Sequence, residues 1–192
     1  LTATQVKALT TAQLASLTDA QVPKLTTTQV AALVATQVAG LQTANLAALD
    51  SSQLRALSAS VVAVLSTAQV AAITTDQVSK LTATQVQSFT AAQVSAMSGD
   101  QLKELTTAQV AAMSATQVKA IETADLAQLT TAQVQALSNA SVAAMSTAQV
   151  AALTTAQTEK LTAAQVSALT NTQVTALTTA QAGALTTAQT AV

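Results

Sequence analysis

Leu105–Ala112 reads LTTAQVAA, and the whole chain is this octapeptide written 24 times, Leu1 to Val192, with no insertion or deletion. Thr106 followed three residues later by Gln109 is a capping box. The Thr hydroxyl accepts from the N–H of the third helical residue, and the Gln side chain reaches back to the cap N–H. Leu105 precedes the cap and Val110 is the fourth helical residue, the two positions of a hydrophobic staple. Each octad thus carries a complete helix-start signal, and the next start follows eight residues later at Met113–Ser114. The predicted unit is a helix of about six residues and a link of about two.

The array keeps this grammar. The first position is Leu in 18 octads and otherwise Ile73, Phe89, Met97, Met113, Ile121 or Met145. The second is Thr, Ser or Asp in 21, with Val34, Gln42 and Glu122 departing. The fifth is Gln in 20, with Asn45, Val61, Asp125 and Ser141 departing. The sixth is Val or Leu in 21, and Thr158, Ala182 and Thr190 depart. The eighth is mostly Ala, which lets neighbouring backbones approach closely. Octads 5–8, with the run Val61–Leu65, diverge most. We read that as drift, with a lateral contact patch around Ser60–Val64 as the alternative.

One long helix or coiled coil is excluded by geometry. Eight residues turn a helix by about 800°, so the apolar positions drift by about 80° per repeat and no stripe survives. Thr is also a poor interior helix residue, and Pro23 would break a continuous helix. Inside a short helix, Pro23 is expected to cause local fraying. A β-solenoid fits poorly, because Leu and Val sit five and three apart rather than alternating.

An uninterrupted repeat makes the 192 residues one quasi-linear solenoid. Isolated helices this short are unstable in water, so each must be held by its neighbours. The predicted fold is all-α: a single continuous solenoid of 24 octapeptide repeats over residues 1–192, one very short capped helix per octad and about two per coil. Stacked at the usual helix spacing, it would form a rod on the order of 100 Å long.

Net charge is −1 with 15 charged residues, none at the first or sixth position, the pattern of a solvated face. The longest apolar run, Val30–Ala35, is far too short to span a membrane. Leu1 is not an initiator Met, so a mature product or a piece of a longer array is expected. The sequence has no Cys, His, Trp or Tyr, which removes disulfides, the usual general base, the thiol nucleophile and soft metal ligands. Plentiful Ser and Thr hydroxyls lack a His activator. The nearest acid pairs, Asp100/Glu104 and Glu122/Asp125, read as exposed polar edges rather than a calcium contact. Asn139-Ala140-Ser141 matches a glycosylation sequon, as one chance match in a Thr/Ser-rich chain would. No catalytic, metal or cofactor-binding residue is expected, and no cofactor.

The octad Leu65-Ser66-Thr67-Ala68-Gln69-Val70-Ala71-Ala72-Ile73 resembles the opening of the plant-pathogen TAL-effector repeat. The similarity covers only that first short helix. The base-reading loop and second helix are missing, and seven basic residues cannot build a phosphate-tracking stripe, so no nucleic-acid partner is expected. Met145–Ala156 (MSTAQVAALTTA) and Leu177–Gln189 (LTTAQAGALTTAQ) carry a resemblance that spans the chain. They resemble the LTTAQVAAL octapeptide arrays of very large bacterial surface and adhesion-type proteins. That resemblance implies a bacterial, cell-surface or extracellular origin and a spacer or fibre rather than a ligand.

The expected function is therefore an extracellular stalk, spacer or filament. Its expected partner is itself, because neither terminal octad is a polar cap: Leu1, Val6, Leu185 and Val192 all stand at open ends. The alternative is an ice- or surface-binding module using Thr hydroxyls. Against it, capping engages the second-position Thr. The outward third position mixes Thr with Ala, Asp19, Gly99, Asn139 and Asn171.

Overall fold

The computed structural model describes residues 1–18 and 20–191. Two compact units, Leu1–Met97 and Ser98–Val192, divide the chain. Octads 1–12 form eleven α-helices and one 3-10 helix, and octads 13–24 form twelve α-helices, with no strand among the described residues. The α-helices are four to six residues long. Asp19 and Val192 lie outside the described residues, and with them the readings placed on Asp19 in the third-position row and on Val192 at the open end.

The predicted helix start is present almost everywhere. In the helix Thr107–Ala111, Thr106 Oγ1 accepts from the Gln109 N–H at 3.2 Å and Gln109 Oε1 accepts from the Thr106 N–H at 2.6 Å. Where the second position cannot accept, half of the box remains. Val34 has no acceptor, yet its N–H still donates to Gln37 Oε1 at 3.0 Å. Gln42 and Glu122, the other two departures, make no side-chain cap. Pro23 does not fray its octad: lacking an N–H to donate, it sits in a closed 3-10 helix, Val22–Lys24, in which Lys24 N–H donates to Gln21 at 3.0 Å and Leu25 N–H to Val22 at 3.1 Å.

The staple pair forms the core of each unit. Val38, Leu46, Leu54 and Val70 at the sixth position are at most 1% exposed, as are Val118, Val134 and Val150 in the second unit. First-position residues are buried beside them, including Phe89, Met113 and Met145. Each such side chain contributes about 1.5–3 kcal/mol, an upper estimate because the unfolded chain is not fully extended. The run Val61–Leu65 contributes mainly to the core. Val61, Val62 and Leu65 are buried, and Val64 alone of the valines there is exposed, which leaves little of a lateral patch. Thr158 is also fully buried, and its hydroxyl donates back to the Thr154 carbonyl at 3.1 Å.

The coil is larger than expected. Within the first unit, Ala3–Lys7 packs on Thr27–Ala31, and Thr27–Ala31 packs on Ser51–Ala56. In the second, Ala115–Lys119 packs on Asn139–Ala144 and Thr131–Ala136 on Thr155–Lys160. Within each unit a helix thus meets the one three octads further on, so the expectation of about two helices per coil is corrected to between three and four. The reason lies in the link. Two helices packed back to back need a reversal, which a residue in the left-handed region usually supplies. No described residue has positive φ. The first position is extended instead (Leu57 φ −63°, ψ 134°), and so is the second (Ser58 φ −68°, ψ 155°). Two extended residues make a corner rather than a hairpin.

Candidate functional site

The feature that recurs with most regularity is the fifth-position Gln, and the structure gives it a second task. Its Oε1 is committed to the cap of its own helix. Its Nε2 points the other way, into the preceding coil. Gln37 Nε2 donates to the carbonyls of Val6 at 3.0 Å, Lys7 at 3.2 Å and Leu9 at 2.6 Å. Gln85 does the same with Leu54, Arg55 and Leu57 at 3.0, 3.3 and 2.8 Å. In the second unit, Gln149 donates to Val118, Lys119 and Ile121 at 3.0, 3.2 and 2.8 Å. The partners lie 31, 30 and 28 residues earlier, and at Gln69 only 31 and 28. The shortest bond, at an offset of 28 residues, joins positions three and a half octads apart.

Two of the three acceptors are carbonyls left over at a helix C-terminal end, and the third, the sixth-position carbonyl, is shared with the first-position N–H, as where Leu9 N–H donates to Val6 at 3.1 Å. One amide therefore closes the N-terminus of its own helix and the C-terminus of the helix one coil below. That double role selects Gln. A capping box accepts Glu as readily, yet no octad has Glu at position five. A carboxylate could cap its own helix but has no proton for the carbonyls. The departures obey the same logic. Asn45, buried, still donates through Nδ2 to the Leu17 carbonyl at 2.9 Å. Ser141, buried, donates to the Met113 carbonyl at 3.5 Å and pairs with Ser138 at 2.8 Å. Val61 replaces the donor by apolar surface and is 2% exposed. Asp125 cannot donate; it sits half-buried and accepts from Gln128 Nε2 at 3.4 Å.

The ladder has two ends. Gln5, Gln13 and Gln21 are exposed, whereas the glutamines from Gln165 to Gln189 are buried. At the C-terminal end it is the apolar sixth position that opens, and Val174 is 48% exposed.

The acidic pairs gather nothing around them. Asp100 and Glu104 are exposed at opposite ends of Gly99–Lys103, and Glu122 is the exposed N-cap before Asp125. Among the described residues no group of three or more acidic side chains could hold a metal ion. Asn139 is exposed, but Ser141 of its sequon is buried. The third position faces solvent as expected at Thr107, Asn139 and Asn171. Gly99 corrects that expectation: it is buried beneath the Gln128 side chain, which occupies the space a Cβ would need. Among the described residues no helix is long and apolar enough to cross a membrane.

The Nε2 donor is what sequence reasoning missed. Its signal was present as Gln without Glu across so many capping boxes, a preference the box itself does not explain.

Among curated proteins none matches this chain. A family model described as ALTTAQ repeat matches twice, at residues 46–83 and 118–155, one match within each compact unit. The chain is thus an all-helical array that carries the ALTTAQ repeat motif.

Proposed function

We propose that the chain is a structural repeat protein: a bacterial extracellular or cell-surface stalk, spacer or filament that associates with itself end to end. The observation that carries this reading is the glutamine ladder. It spends the most regular polar group of the sequence on joining one coil to the next, leaving the surface to small, weakly charged residues. The repeat motif matched by the family model supports the same reading. So does the octad register, which runs through Met97–Ser98 without interruption and fits a single solenoid over residues 1–192. Neither turnover nor nucleic-acid binding forms part of the proposal, since seven basic residues spread along the array offer no phosphate track.

Sedimentation velocity across a concentration series, with electron microscopy of the same samples, tests the filament. Growth into unbranched polymers is expected. A chain that stays monomeric at the highest concentration, or that binds duplex DNA tightly at physiological salt, contradicts the reading.

A further inference from the structure

The charged residues of the first unit are not scattered. Apart from Lys7, those described fall in three of its octads: Lys24, then Asp50 and Arg55, then Asp76 and Lys80. The coil stacks these octads on one another. Gln53, between Asp50 and Arg55, donates through Nε2 to the Pro23 carbonyl at 3.2 Å, next to Lys24. Ser51–Ala56 packs on Thr75–Lys80, and Ser51 Oγ donates to Asp76 Oδ2 at 3.2 Å from one coil to the next. All five charged side chains are exposed. One strip of the surface, three coils tall, thus holds them.

Within the strip the two signs are sorted. Lys80 follows Lys24 by 56 residues, twice the rung offset of 28, so the two lysines share an azimuth. Counted on the same offset, Asp50 and Asp76 precede that line by two and four residues, and Arg55 follows it by three. The acids form one edge of the strip and the bases the other, about 6–8 Å apart at the rise of a helix. The ion pair among the described residues is Lys160–Glu159, in the other unit, and none joins these two edges. The helix dipole accounts for acid before base inside an octad. It does not account for the choice of three octads that lie one coil apart.

We propose that a second copy of the chain docks side by side on this strip, both copies running the same way, with Asp50 and Asp76 of each copy against Arg55 and Lys80 of the other. Two strips that face each other about a two-fold axis parallel to the stack of coils bring left edge onto right edge, acid onto base at each level. Strips that run oppositely bring acid onto acid. A polyanion would meet the acid edge and a polycation the base edge, whereas a second copy satisfies both. Exposed ion pairs are weak singly and screened by salt. Symmetry makes each of the two pairs twice, so the docking is weak, reversible and salt-sensitive. It is lateral, and it adds to the end-to-end reading without depending on it.

Cysteine trapping in the full chain tests this, since native Cys is absent. Ser52 lies between Asp50 and Arg55, and Ser79 lies between Asp76 and Lys80 one coil further on. Thr67 is exposed half a coil away from Ser52, on the far side. At about 20 mM salt, Ser52→Cys and Ser79→Cys should each give disulfide-linked dimers about tenfold faster than Thr67→Cys, and the excess should vanish at about 0.5 M salt. In the Ser52→Cys background, Arg55→Glu/Lys80→Glu makes the strip acidic. Asp50→Asn/Asp76→Lys makes it basic, and Asn keeps the cap acceptor. Each should lose the excess alone, and an equimolar mixture should regain it as heterodimers. Circular dichroism checks that the variants retain the helix of the parent. Equal rates at Ser52 and Thr67 overturn the docking, as does undiminished trapping in either charge variant. Trapping at Ser52 but not at Ser79 means that the copies run oppositely. An excess that survives salt means that apolar contact rather than charge holds them. Either result overturns the proposal. Should the charge variants unfold, the salt series on the three single-cysteine chains still decides it. Unbranched polymers without fast trapping at Ser52 leave the end-to-end reading standing and sink this one.

Discussion

At the scale of the residue, each letter of the octad has a physical reason, and the fifth has two. Thr106 caps, Gln109 caps, and Val110 fills the core, while Thr107 faces water. Thr106→Ala is expected to lower the stability of the chain by about 1 kcal/mol, the usual worth of a lost N-cap. Thr107→Ala, one residue further on, should change it by less than about 0.5 kcal/mol. Val110→Asp should be far worse, because an unpaired carboxylate enters a site that is 1% exposed. Urea denaturation of the three variants checks the order, and equal effects at Thr106 and Thr107 would show that the octad is out of phase. Most of this was legible from the sequence, because the cap, the staple and the apolar positions all act within six consecutive residues. The second task of the fifth-position Gln was not legible: at Gln149 its partners lie 31, 30 and 28 residues earlier, a distance along the chain that one octad does not encode.

At the scale of the element, a helix of four to six residues has no independent stability. What the sequence could not show is how consecutive helices turn. The corner is made by φ and ψ at the first and second positions, both extended, and the same Leu-Thr pair could in principle precede a hairpin. The acid pairs were read as exposed edges, and Asp100, Glu104 and Glu122 are exposed while Asp125 is half-buried; Gly99, expected to face solvent, is buried. Burial of Gly99 depends on Gln128, which arrives from the helix one coil further on. Native Cys is absent, so a cysteine pair can measure the coil directly. Gly99→Cys with Gln128→Cys should cross-link readily under mild oxidation. Gly99→Cys with Ala115→Cys, spaced for a coil of two octads, should not. Efficient cross-linking of the second pair and none of the first, read on a non-reducing gel, would return the coil to two helices.

At the scale of the whole molecule, the same letter in the same octad should matter differently according to the carbonyls its amide reaches. Gln13 is exposed and caps only its own helix, whereas Gln149 is 2% exposed and also holds three carbonyls of the preceding coil. Gln→Glu is nearly isosteric and keeps the cap acceptor at both sites, so it replaces the donor by a carboxylate without changing the shape of the side chain. Equilibrium urea denaturation of Gln13→Glu and Gln149→Glu, at a protein concentration below any assembly, compares the two roles within one chain. Gln149→Glu should cost about 2–4 kcal/mol at neutral pH, through buried carbonyls left without a donor and a carboxylate forced among them. Part of that loss should return on acidification, because the protonated acid regains one O–H donor. Gln13→Glu should cost less than about 0.5 kcal/mol. Equal costs at the two positions would contradict the glutamine ladder as the bond between coils.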